Sequence, residues 1–124
     1  MSRLLALFLG GLIGGTILVA PSPAAIAASA ADNYRTYCAQ CHGLQGNGKG
    51  VNIRDMSVQP RNHTDADSMS RRSDDDLFTA DKKGGLAINK SVLMPPWGDT
   101  LSDAEIHDMV RYLRTLCHCK YNAQ

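Results

Sequence analysis

Cys38-Ala39-Gln40-Cys41-His42 decides how the rest of the chain is read. Two thiols stand three residues apart and an imidazole follows directly. On a helical turn, positions i and i+3 share a face, and i+4 lies nearly above i. Cys38, Cys41 and His42 can therefore converge on one flat object. That spacing suits covalent attachment of a haem, with thioether bonds from the two sulfurs to the vinyl groups and the imidazole rising to the iron. Two other chemistries use paired cysteines. A thioredoxin-like redox pair sits in a βαβ pattern, and none surrounds these residues. A zinc site needs more ligands at matching spacing. The remaining cysteines, Cys117 and Cys119, are separated by a single residue near the C-terminus, which is poor spacing for zinc.

Upstream of the motif lies a leader. Arg3 is a minimal positive start, and Leu4 to Ala20 is apolar and free of charge. Pro21, Ser22 and Pro23 break that run, and Ala25-Ile26-Ala27 and Ala28-Ser29-Ala30 are both small-x-small cleavage candidates. Residues 1–30 therefore read as a secretory signal peptide cleaved near 27–30. An uncleaved membrane anchor is the rival, and the apolar run is near the lower limit for spanning a bilayer. Export places the protein in the periplasm. It also suits the cysteines, because thiols outside the cytosol are oxidised unless they are used.

Beyond the leader the charges balance, since all basic residues but Arg3 and all acidic ones lie there. The absence of a basic stripe argues against nucleic acid as a partner. Roughly 94 residues remain, few of them aromatic, and a chain that short buries a modest core unaided. A covalently fixed porphyrin supplies much of the missing apolar surface.

The segment from Ser29 to Gln40 reads as a helix running into the motif, with Tyr34, Tyr37, Cys38 and Cys41 on one face. Gly43 to Gly50 is too rich in glycine for a helix or strand, and it reads as a loop passing close to a haem edge. A phosphate loop is excluded because Lys49 is followed by Gly50 rather than Ser or Thr. Thr64 is the expected N-cap of a short helix over residues 65–70. Ser73, followed by Asp74, Asp75 and Asp76, opens another helix, which Gly84 and Gly85 stop. Leu86 to Thr100 has no period and reads as a loop whose large apolar groups must cover something. Ser102 and Glu105 form a capping box. Ile106, Met109, Val110, Leu113 and Leu116 then mark a helix from Asp103 to Cys117. No strand is convincing, so the expected class is all-α.

His42 leaves the far side of an iron open. His63, His107, His118 and Met56, Met69, Met94 and Met109 are the candidates. His107 lies off the apolar stripe of the last helix, His118 sits at a fraying end, and Met109 belongs to the stripe. Met94 differs, because Pro95 and Pro96 fix the chain just after it and its thioether is held at little entropic cost. Soft sulfur suits low-valent iron, and Met/His ligation raises the potential. His63 is the runner-up. The Pro60 carbonyl can accept the Nδ1 proton of His42 and fix the ring. Arg61 and Trp97 can donate to the propionates.

Tyr34, the Cys38-to-Gly43 motif, Met94-Pro95-Pro96-Trp97 and the final helix with Tyr112-Leu113 resemble a small bacterial class I cytochrome c. The resemblance covers about Tyr34 to Leu116. It implies a cytochrome c domain over 31–119 with a tail at 120–124, and terminal helices crossing around one haem c. It implies Cys38 and Cys41 as thioether sites, His42 and Met94 as axial ligands, and Tyr34, Met109 and Tyr112 at the helix crossing.

The function implied is one-electron transfer by a carrier that is not an enzyme, with redox proteins docking briefly at the haem edge. Two alternatives remain open. One is a fixed haem subunit of a larger dehydrogenase or oxidase complex. The other is a haem peroxidase or gas sensor with a displaceable Met94, for which His63 or Arg61 would be the distal polar group. Cys117 and Cys119 are also open. A bridge between them closes a very small ring, pairing between molecules would give a dimer, and a metal-binding or docking role stands beside both.

Overall fold

The computed structural model describes residues 28–123, so most of the expected leader lies outside the described residues. Every regular element among them is helical. The first helical run is α1 (Ala30–Asn33), a π-helical turn (Tyr34–Cys38) and α2 (Ala39–His42), which follow without a break. Ser29 is extended, and its hydroxyl accepts from the Asp32 N–H at 3.2 Å. The Ala39 N–H reaches back to the Tyr34 carbonyl. Such a turn holds one residue more than an α-helical turn. It changes the expected single face. Tyr34 turns into the core at 1% exposure, whereas Tyr37 is half-buried against Trp97, with ring centroids 4.9 Å apart.

The glycine loop has a different job from the expected one. Gly48 N–H donates to the His42 carbonyl at 2.8 Å, Gly50 N–H to Cys41 at 3.0 Å and Asn52 N–H to Gln40 at 3.0 Å. The loop thus satisfies the carbonyls that a helix end leaves open. Gly50 is needed because any Cβ there would run into the Gln40 carbonyl. The backbone passes close to the helix end, and residues 43–50 do not line the cavity described below.

Helix α3 (Ala66–Ser70) is capped by Asp65 rather than by Thr64. The Thr64 hydroxyl is already spent on Asn62 Oδ1 at 2.7 Å, while Asp65 Oδ1 accepts from the Ser68 N–H at 3.1 Å. Helix α4 (Asp74–Lys83) opens with a capping box from Ser73 and Asp76 and stops at Gly84. A 3₁₀ turn (Gly85–Ile88) follows, which the lack of period had concealed. Helix α5 (Asp103–Cys117) has the expected bounds and the Ser102/Glu105 capping box.

Helix α5 packs against α1, α3 and α4. Its stripe of Ile106, Met109, Val110 and Leu113 is buried, and Tyr34 joins Met109 and Leu113 in one core cluster. Tyr34 and Tyr112 meet with centroids 5.4 Å apart. His107 is exposed and stacks on Phe78 at 4.5 Å. Arg114 pins α5 to the α3–α4 corner. Its Nε and Nη2 reach Asp74 Oδ1 at 2.9 and 2.7 Å, and its Nη1 reaches the Met69 carbonyl at 2.8 Å.

At the end of α5, Cys117 and Cys119 are bonded to each other. His118, in the left-handed region at φ 50°, turns the chain so that the two Cα atoms lie 5.1 Å apart. Of the alternatives open for these cysteines, the bond lies within one chain, and because it consumes both thiols it corrects the possible dimer through Cys117 or Cys119.

Candidate haem site

The last turn of the first helical run presents Cys38, Cys41 and His42 to a cavity of about 700 Å³. That volume lies within the roughly 300–1,000 Å³ expected of a ligand site. Met94, Trp97, Arg61 and Pro60 line the same space, so all seven residues singled out from the sequence come together there. Cys38 and Cys41 are not bonded to each other. Burial, then the Asp81 carboxylate and the Cys41 thiol, pushes the Cys38 thiol up to about 12. Among the described residues no group of three or more His, Cys, Asp or Glu is placed to hold a metal ion.

One carbonyl differs from expectation. His42 Nδ1 faces the Arg61 oxygen at 3.0 Å, not the Pro60 oxygen. A proton on Nδ1 donates to that carbonyl and leaves Nε2 with its lone pair for a metal. The connector brings the chain back one residue later because the His63 N–H is held by the Gly46 carbonyl. Burial lowers the His42 pKa, so the ring is held neutral as a ligand must be.

His63 is not where a second axial ligand would stand. Its ring stacks face to face on His42, 4.2 Å between centroids and 14° between planes. Its Nδ1 lies 3.0 Å from the Tyr34 hydroxyl. A ring lying against His42 cannot reach the far face of the plane that His42 Nε2 would meet. The same placement removes His63 as a distal polar group. Burial, then His42, holds its pKa well below the usual histidine value. Arg61 donates from Nη1 to Ser68 Oγ and is half-buried at the cavity wall. Among the methionines, Met69 and Met109 are buried in the core, and Met109 also borders the cavity, which Met56 and Met94 line.

Met94 is held by backbone on both sides. Its carbonyl accepts from the Gly85 N–H at 2.9 Å, and its N–H donates to Ser91 at 3.3 Å. Trp97 N–H and Gly98 N–H then donate to the Asp81 and Lys82 carbonyls at 2.9 and 3.0 Å, hanging the loop on the open end of α4. Gly84 makes room, because a Cβ there would sit 2.8 Å from the Met94 oxygen.

A flat group with two reactive edge carbons, an iron and two carboxylates fits this donor set. The two free sulfurs of Cys38 and Cys41, the oriented imidazole of His42 and the Met94 thioether share a largely apolar cavity with Arg61 at its wall. Residues 25–113 match the family described as cytochrome C oxidase, cbb3-type, subunit III. The chain belongs to this cytochrome c family.

Solved structures agree on the fold. A c-type cytochrome, KustC0563, matches at TM-score 0.57 and 22% identity over 72% of this chain and 98% of that one. A chain of the reducing HAO-like protein complex Kustc0457/Kustc0458 of Kuenenia stuttgartiensis matches at TM-score 0.54 and 27% identity, over 70% of this chain and 40% of that one. No curated protein matches the chain. As a class I cytochrome c the protein is a haem-carrying electron carrier rather than an enzyme.

Two cavity residues escaped the sequence reading. His63 is readable from the sequence as an axial ligand or a distal polar group, but no local period marks it as the partner of His42. Asp81 left a signal that could have been used. It follows Leu77 by four positions on the buried face of α4, where a carboxylate is out of place.

Proposed function

We propose that this cytochrome c is an exported one-electron carrier with a single haem, joined through Cys38 and Cys41 and ligated axially by His42 and Met94. The bound haem supplies the Fe(II)/Fe(III) couple. The Arg61 carbonyl orients His42, and the Gly85–Met94 bond seats the thioether. The pocket wall excludes water, and ligand identity with the low local dielectric sets the potential. Arg61 and Trp97 hold the propionates. Redox proteins dock transiently at the edge near Cys38 and Cys41, over a small surface.

The observation that carries this reading is the shared cavity of Cys38, Cys41, His42 and Met94. Met94→Ala tests it in the exported holoprotein. The sulfur–iron charge-transfer band should vanish and the potential should fall, because thioether ligation is what raises it. Met56→Ala should leave both unchanged. Survival of the band in Met94→Ala sinks the ligand assignment.

Periplasmic location follows from reading residues 1–30 as a cleaved leader. Cleavage after Ala27 leaves Ser29 to cap α1. No helix among the described residues is long and apolar enough to cross a membrane. A second reading, a fixed subunit of a larger assembly, draws support from the family's description as an oxidase subunit and from a neighbour that belongs to a complex. Gel filtration of the native protein separates the two.

A further inference from the structure

Asp81 is the buried carboxylate among the described residues, 8% exposed. It lies on α4 and lines the cavity together with Cys38, Cys41, His42 and Met94. Its Oδ2 has no hydrogen-bond partner. Among the described residues no cation is paired with it. Its neighbour Lys82 is turned away, with Nζ on both oxygens of Asp103 at 2.7 and 2.8 Å. A buried, unpaired carboxylate is costly, and neither the core nor the ligand set explains this one.

We propose that Asp81 is a proton-binding site coupled to the haem iron, so that the protein takes up a proton with its electron. This rests on the haem reading above. Ferric haem carries one positive charge more than ferrous haem. At a wall of low dielectric that charge favours the ionised carboxylate, and the neutral acid favours the ferrous form. The step balances. A reduced one-electron partner gives an electron to Fe(III), which becomes Fe(II). The Asp81 carboxylate takes a proton from water and becomes the acid. Oxidation reverses both transfers.

The surroundings support a group that titrates near neutrality. Burial alone pushes Asp81 up to about 7. The titratable groups that feel its charge are Tyr34 and Cys38, both on the first helical run. Tyr34 stays protonated, since burial raises its pKa far above the usual value, and Cys38 loses its proton for good once it is a thioether. The 3₁₀ turn Gly85–Ile88 brings no charge. The loop returning to α4 meets Asp81 through the Trp97 N–H, which bonds the Asp81 backbone carbonyl and not the carboxyl. On α5, Asp103 is held by Lys82, and His107 is exposed against Phe78.

Spectroelectrochemical titration of the holoprotein, wild type and Asp81→Asn, between about pH 5 and 9 tests the proposal. In the wild type, a tenfold change in proton concentration should shift the reduction equilibrium by up to tenfold, about 59 mV for one electron. The slope appears between the carboxyl pKa values of the oxidised and reduced forms. Asp81→Asn should lose that part of the slope, and its potential should lie above the wild type's at high pH. Propionate titration is common to both proteins and drops out of the difference. Parallel profiles overturn the proposal. A second measurement needs no variant: redox infrared difference spectra of wild-type protein labelled with ¹³C-aspartate. A label-sensitive carboxylic acid band should appear on reduction near neutral pH, and its absence overturns the proposal. Protein that takes up no haem sinks the proposed function as well. Haem that cycles with no Asp81 signal sinks this inference alone.

Discussion

Asp81 occupies a place on α4 where Leu77 and Ala80 are its buried companions. The fold carries it at a cost that depends on pH. Its folded pKa is raised from 3.8 to about 7, so between those values the folded state binds a proton that the unfolded state has released. Stability from this group is therefore complete below about pH 4, falls as pH rises, and levels off above the folded pKa. His63, whose pKa is lowered, acts in the opposite sense as pH falls. The difference between Asp81→Asn and wild type isolates the acid. In denaturant titrations of the oxidised protein it should be near zero at about pH 4 and reach a few kcal/mol in favour of the variant by about pH 8. Among the site residues, the Cys38-Cys41-His42 spacing was legible because covalent chemistry sets it along the chain. The partners of His42 were not. The Arg61 carbonyl and the His63 ring arrive by way of a connector whose path is fixed by the Gly46 carbonyl and the Tyr34 hydroxyl, far away in sequence.

Helix ends carry their own chemistry, which is why α4 and α5 could be read with correct bounds. In both, a serine hydroxyl accepts from the N–H three residues on, and an acid returns the bond. Ser102→Ala should cost about 1 kcal/mol in a denaturant titration, with the absorption spectrum unchanged. Where two capping side chains compete, the pattern is ambiguous. Thr64 and Asp65 both qualify, and the tie is broken by Asn62, which takes the threonine hydroxyl. The π turn left no trace in the periodicity, because its extra residue becomes visible only when Tyr34 must meet α5 while Cys38 and Cys41 stay at the cavity.

At the scale of the molecule, one side chain joins segments about forty residues apart. Arg114 is 13% exposed and bonds Asp74 together with the carbonyls of Met69 and Arg72. Charged hydrogen bonds of this kind contribute about 1.5–3 kcal/mol each, and the carbonyls they satisfy are left bare on removal. Arg114→Met should lower unfolding stability by about 3 kcal/mol, measured by denaturant on the holoprotein. The exposed pair Lys82–Asp103 should give less than about 1 kcal/mol in the same assay, because water screens it. Nothing local in the sequence shows which carbonyls will come to Arg114. Finally, the excursion from Gly85 to Met94 is closed at its neck by the Gly85 N–H on the Met94 carbonyl and the Lys90 N–H on the Gly85 carbonyl. Leu86 and Val92 on this excursion are 67% and 70% exposed. Variation at those exposed positions changes the face offered to the outside while the paired backbone below keeps Met94 where it is, so the outer surface can change without moving that side chain.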